Sequence, residues 1–126
     1  MLPEEIKYTE DHEWVHLEKD IATIGITEHA VEELGEIVFV EHPKVGIDVS
    51  QADETGTIES VKTVSSIFAP LTGTIIAIND ELEGSPSTLN DQPLGDGWIF
   101  KLKVEDDTEY QDLMTFVEYE AFLENL

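Results

Sequence analysis

Lys62 is the residue whose type and setting best suit it to chemistry. It lies in Glu59-Ser60-Val61-Lys62-Thr63, between Thr55-Gly56-Thr57-Ile58 and Ile67-Phe68-Ala69. Both flanking runs read as β-strands, the second closed by Pro70. Ser60 and Thr63 flank a short central pair, as a tight turn allows. Strands on either side would point Lys62 outward, with its four-carbon stem in water. The chain holds six lysines and no arginine against 29 acidic residues. An amide formed at this amine would remove the charge and extend the stem into a long flexible arm. As a bare Val-Lys dipeptide the segment reads as an ordinary exposed hairpin lysine, and it is the longer frame that shifts the reading to an attachment site.

Several other chemistries are excluded or unsupported. There is no cysteine, which removes disulfides, thiolate metal sites and thiol nucleophiles. Thiol or redox chemistry must therefore come from a cofactor. His12, His16, His29 and His42 show no metal-ligand spacing. Asp80-Glu81-Leu82-Glu83-Gly84 is acidic but lacks the pattern of a calcium loop. Serine-hydrolase and phosphate-loop motifs are absent. The formal charge of -23 would repel phosphates, so nucleic acid and anionic membrane surfaces are poor partners. Basic protein partners fit, with salt-sensitive steering of their encounter. Solubility or adaptation to a salty cell explains the same charge. No apolar run is long enough to span a bilayer.

The elements that must position Lys62 follow from periodicity. At 126 residues the chain is expected to form one domain with a real core. Trp14-Val15-His16-Leu17 and Ile21 to Ile26 suggest a hairpin around Glu18-Lys19-Asp20. A short helix follows, with Thr27 as N-cap, Glu28 in its first turn and Gly35 after its last residue. Ala30, Val31 and Leu34 form its apolar stripe. Glu36 to Glu41 reads as a strand stopped by Pro43, Val45 to Val49 as a short connector strand, and Thr72 to Asn79 as another strand. Asp80 to Gly97 is rich in turn residues and is expected to carry little regular structure. Trp98 to Val104 alternates as a half-exposed strand with Lys101 and Lys103 outward. Asp107 or Thr108 can cap a turn through Met114. Phe116 to Leu126 has helical spacing, with Val117, Tyr119, Ala121, Phe122 and Leu123 as its apolar residues. Periodicity alone gives a β-rich domain with peripheral helices, a sandwich or flattened barrel.

Taken in order, the residue blocks resemble those of one family, the H proteins of the glycine cleavage system. The blocks are Lys7-Tyr8-Thr9, His12-Glu13-Trp14-Val15, Thr23 to Ala30, Leu34 to Val40, Glu59-Ser60-Val61-Lys62 and Ala69-Pro70-Leu71-Thr72-Gly73. Asn79, Leu82, Ser85-Pro86, Asn90, Pro93 and Gly97-Trp98 complete the set, which runs from about Lys7 to the C-terminus. Biotin carriers centre instead on Met-Lys-Met, and acyltransferase lipoyl domains on Asp-Lys-Ala. Departures from the family pattern are Val31 for Gln, Ser66 for Asp, Ala52 for Gly, Leu94 for an aromatic residue and His42 for Leu.

The resemblance implies a mainly β fold, a lipoyl-type hybrid barrel-sandwich of two small sheets with short peripheral and C-terminal helices. It implies lipoate joined covalently to Lys62 within the frame Glu59, Ser60 and Val61. It implies a carrier rather than an enzyme. The implied partners are glycine decarboxylase (P protein), aminomethyltransferase (T protein), dihydrolipoyl dehydrogenase (L protein) and the lipoylating enzymes. An H-like donor or relay of lipoate for other complexes is the alternative role. The location would be the cytoplasm in bacteria or archaea, and the mitochondrial matrix for a mature eukaryotic form. In the family, the residue matching Glu13 lines a cleft for the loaded arm; otherwise Glu13 is an exposed strand residue. His29 could donate a hydrogen bond to the arm, or serve as a structural side chain. Ser66 stands where the family's Asp is thought to help hold the arm.

Overall fold

The computed structural model describes residues 1–126 and arranges the strands in two antiparallel sheets. After a 3-10 turn at Pro3–Glu5 come β1 (Lys7–Tyr8), β2 (Glu13–Glu18), β3 (Ile21–Ile26), α1 (Glu28–Leu34) and β4 (Ile37–Glu41). Next are β5 (Asp48–Val49), β6 (Glu54–Ser60), β7 (Val64–Phe68) and β8 (Gly73–Ile78). The chain ends with α2 (Glu81–Gly84), α3 (Thr88–Asp91), β9 (Phe100–Lys103), α4 (Thr108–Gln111) and α5 (Phe116–Glu124). The six-stranded sheet has the order β1-β2-β3-β9-β8-β5, and the three-stranded sheet the order β4-β6-β7. The expected two-sheet sandwich is therefore present, and it does not close into a barrel. One sheet is larger than expected because the two-residue strands β1 and β5 extend its edges.

The main core lies between the sheets. Ile24, Ile58, Ile67, Leu71, Ile75, Phe100 and Leu102 are fully buried there. A smaller aromatic cluster of Ile6, Tyr8, Trp14 and Tyr119 forms under α5. Trp14 has no exposed surface, and its indole donates to the Pro93 carbonyl at 2.9 Å. Gly25 faces Trp14 across β2 and β3, where a Cβ would stand 2.6 Å from the indole. A glycine is the residue that leaves the ring its space.

Local chemistry explains α1. The Thr27 hydroxyl accepts the Ala30 N–H at 3.2 Å, as an N-cap does. Gly35 ends the helix with φ 80°, a conformation that suits glycine. Val31 and Leu34 are buried as expected, and Ala30 is half-buried.

Four expectations change in detail. Asp80 to Gly97 is not irregular, for it holds α2 and α3, pinned by the fully buried Leu82 and Leu89. Four-residue helices are too short to leave a periodic signal. The strand expected over Trp98 to Val104 is confined to β9; ahead of it the Asn79 side-chain amide donates to the carbonyls of Asp96 and Trp98. Lys103 is exposed as expected, but the Lys101 amine lies 5.0 Å from the centre of the Trp98 ring and the residue is half-buried. On α5, Val117 and Ala121 face solvent, and the helix docks through Phe116, Tyr119, Phe122 and Leu123.

Candidate functional site

The tip between β6 and β7 is built around Ser60. This residue is buried, and its N–H donates to the Thr63 carbonyl at 2.8 Å. Its hydroxyl oxygen accepts from Thr63 N–H at 3.1 Å and from Lys62 N–H at 3.3 Å. Serine in this place satisfies turn donors that would otherwise need water. The Val61 N–H donates to the Glu36 carbonyl at 3.0 Å, which fastens the tip to the α1–β4 connection. The Lys62 stem passes over Gly35, its Cε 3.6 Å from where a Cβ would stand.

Lys62 itself is exposed, and its amine makes no hydrogen bond or ion pair. An amine in water, displayed on a turn held from below, fits acylation by an enzyme. Glu59 is exposed on β6, one step below the turn and directly opposite Val64. In register with them on β4 lies Phe39. Phe39, Val61 and Val64 are all exposed apolar side chains, so the tip stands beside an apolar strip with Glu59 within it. Exposed patches of this kind commonly mark surfaces for partners.

Glu13 is not an exposed strand residue. Only 2% of its surface is accessible. Its carboxylate accepts from the Thr9 hydroxyl at 2.9 Å and from the Phe68 N–H at 3.0 Å. Burial pushes its pKa up from 4.5 to about 7, against the opposing pull of the Phe68 and Thr9 hydrogen bonds. The residue borders a groove of about 230 Å³, shared with Thr9, Gln51, Phe68, Pro70 and Met114. A cation entering this groove would meet a carboxyl group already desolvated, where a charge-assisted pair is strong.

The structure does not gather Glu13, His29 and Ser66 in one groove. Ser66 lies on β7 between the tip and Phe68, and its hydroxyl donates to Glu54 at 2.7 Å. His29 lies on α1 and borders a separate groove with Thr27, Leu94 and Tyr119. Its ring is 4.6 Å from that of His12, and its Nε2 is 3.5 Å from the Glu33 carboxylate. From Lys62 to Phe68 is six residues, or roughly 20 Å of extended strand. An arm on Lys62 must fold back along the hairpin to approach Glu13.

Sequence reasoning missed Tyr119. Its hydroxyl bonds His12 Nδ1 at 2.7 Å and Thr27 Oγ1 at 2.8 Å. Burial and the neighbouring His29 both lower the pKa of His12. The Tyr119 hydroxyl thus sits between the His12 ring nitrogen and the Thr27 hydroxyl and bonds both. This chain of bonds links α5 to the start of β2 and to the N-cap of α1. The partners lie 107 and 92 residues away, so no local signal could reveal them.

The fold is that of a small antiparallel two-sheet β-domain that displays an exposed, unpaired lysine on the β6–β7 tip. The family model for glycine cleavage H-proteins matches residues 6–126, and the chain belongs to that family. It is 46% identical over 121 residues to the glycine cleavage system H protein of Acinetobacter baumannii, covering 96% of this chain and 98% of that one. Identity to the corresponding Salmonella arizonae protein is 48% over 125 residues, covering 98% and 97%. The crystal structure of a glycine cleavage system H protein from Mycobacterium marinum superposes with a TM-score of 0.88 at 36% identity. That match covers 99% of this chain and 100% of the other.

Proposed function

We propose that this chain is the lipoyl carrier of a glycine cleavage system, with the lipoyl group joined by an amide to Lys62. The observation that carries this reading is the exposed, unpaired amine of Lys62 on a tip fastened to Glu36, in a chain of the H-protein family. A bound lipoyl group supplies a disulfide that can take up the aminomethyl group of glycine and be reoxidised after its release. That chemistry suits a chain without cysteine.

The chain's own residues present and shelter the arm. Ser60 and the Glu36 carbonyl hold the turn. Glu59 and the strip of Phe39, Val61 and Val64 offer a surface on which a lipoylating enzyme could recognise this lysine among six. Glu13, ionised beside a cationic amine, would hold the loaded arm in the groove and keep water from it. The carrier would visit glycine decarboxylase, aminomethyltransferase and dihydrolipoyl dehydrogenase in turn, and catalyse none of the steps alone. In a bacterial or archaeal cell it would work in the cytoplasm, and as a mature eukaryotic form in the mitochondrial matrix.

Mass spectrometry of the peptide containing Lys62, after incubation with a lipoylating enzyme, tests the attachment. Glycine–bicarbonate exchange with the decarboxylase tests the role. Lys62→Arg should keep the fold and lose both modification and exchange. Appreciable exchange by that variant would sink the reading. A lipoylated wild type that fails in exchange would favour a lipoate donor or relay instead.

A further inference from the structure

The tip of the β6–β7 hairpin rests on the connection between α1 and β4, and that connection is itself gripped from the other side. Asn90 of α3 donates through Nδ2 to the Gly35 carbonyl at 2.8 Å. Its Oδ1 accepts the Ile37 N–H at 3.0 Å. The two bonds straddle Glu36, the residue whose carbonyl receives the Val61 N–H at 3.0 Å. Gly35 is also the residue beneath the Lys62 stem. The donor–acceptor pattern admits only one orientation of the amide, since Ile37 offers a hydrogen and Gly35 a lone pair.

The anchor is firm on its own side. Leu89, the neighbour of Asn90, has no exposed surface, so α3 is set in the core. Gly35 has φ 80° and a single helix-end bond, from its N–H to the Val31 carbonyl at 2.9 Å. A glycine hinge next to a turn is conformationally permissive. The Val61–Glu36 bond is the end rung between β4 and β6, beside the Ile37–Ser60 pair, and Asn90 adds a grip on both flanks of Glu36. No other side chain bonds the backbone of residues 35 to 37.

We propose that Asn90 is a positioning residue for Lys62: by clamping Gly35 and Ile37 it fixes the Glu36 carbonyl that seats the lipoylation tip. The proposal rests on the reading of Lys62 as the attachment site. Asn90 makes no hydrogen bond to Lys62; it acts through its two side-chain bonds to Gly35 and Ile37 and the backbone bond from Val61 to Glu36. Its side chain reads the backbone as a neighbouring strand would, one donor and one acceptor on alternate sides of a residue. Aspartate would keep the bond from Ile37 and set a lone pair against the Gly35 carbonyl. Alanine would lose both bonds.

The test compares wild type, Asn90→Asp, Asn90→Ala and Tyr119→Phe. Tyr119→Phe serves as a control that weakens α1 at its N-cap Thr27, the end opposite Gly35. Lipoylation is followed by mass spectrometry with a lipoate ligase, lipoate and ATP, and amide hydrogen exchange is read at Val61 and at Ile58. Modification of Asn90→Ala should slow about tenfold, the weight of one to two hydrogen bonds, chiefly through a raised KM. Exchange at Val61 should speed up while Ile58 stays protected, and Asn90→Asp should fall between. Tyr119→Phe should be modified at the wild-type rate. Unchanged Val61 exchange and normal modification in both Asn90 variants, with wild type fully modified, would overturn the positioning role alone. So would an equal loss of modification in Tyr119→Phe and Asn90→Ala. A wild type that is never modified at Lys62 would overturn the lipoyl reading, and the proposal with it.

Discussion

The carboxylate of Glu13 accepts the backbone N–H of Phe68 at 3.0 Å, across the two sheets. β7 is an edge strand of its sheet, so this N–H has no strand partner and would otherwise need water. Glu13 thus joins β2 to the base of the hairpin that carries Lys62. It also faces a groove, so one buried carboxyl serves both the junction of the sheets and the proposed shelter for the arm.

The raised pKa of Glu13 makes stability depend on pH. Its native value is about 7, above the ordinary 4.5, because burial disfavours the ion. The native state therefore keeps its proton where the unfolded chain has lost it. This contribution is fully present below about pH 4.5 and is lost as pH rises through about 7. Between pH 5 and pH 8 wild type should lose about 2 kcal/mol more than Glu13→Gln. Urea unfolding at the two pH values measures the difference, and parallel behaviour of the two proteins would refute the raised value.

Glu13→Ala should also shorten the life of the glycine-loaded carrier. The loaded protein, freed of aminomethyltransferase, can be followed by release of formaldehyde and ammonia. Ser66 bonds Glu54 and supplies no charge of its own; Glu13 is the buried carboxyl of a groove that Glu10, Asp11 and Asp112 also line, and it is the one expected to hold the amine. Equal release from wild type and variant would remove Glu13 from the site while leaving Lys62 untouched.

Ala52 stands where the family commonly has glycine, and its φ is 77°. An alanine is strained in that region by roughly 1–2 kcal/mol. Ala52→Gly relieves the strain but adds freedom to the unfolded chain. The balance should be a gain of about 0.5 kcal/mol, seen as a higher urea midpoint with an unchanged slope. A lower midpoint would show that the strain is not felt.

Tyr119→Phe deletes one oxygen and leaves His12 Nδ1 and Thr27 Oγ1 without this partner. The loss should be about 1–2 kcal/mol, read as a lower urea midpoint. Modification of Lys62 should be unaffected, because the tyrosine belongs to α5 and packs with Ile6, Tyr8 and Trp14 rather than with the hairpin tip.

Glu59→Ala should slow lipoylation without moving the melting temperature. Glu59 is exposed, and its side chain makes no hydrogen bond or ion pair, so the fold loses little. Kinetics of modification and a thermal melt of the same sample decide the matter. Wild-type kinetics would make Glu59 an ordinary strand residue.

Local patterns in the chain reveal the hairpin, the exposed Lys62 and the capped helix α1, because each rests on residues within a few positions of one another. Ser60 closes its turn with Lys62 and Thr63, its near neighbours. Thr27 caps with Ala30, three residues away. What stayed hidden depends on distant partners. Glu13 meets Phe68 after 55 residues, and Asn90 meets Gly35 after another 55. The short helices α2 and α3 follow from the burial of Leu82 and Leu89, which no period in so brief a segment can announce. The separation of His29 and Ser66 from the Glu13 groove is likewise a product of tertiary packing.

The bond from Val61 to the Glu36 carbonyl bears on biotechnology as well as on folding. A linear tag copied from Glu59-Ser60-Val61-Lys62-Thr63 and fused to another protein would carry the lysine without its seat. The portable unit for site-specific labelling would have to include the support beneath the tip. An acceptor excised at the hairpin's base would be a poor label, whatever the fidelity of its letters.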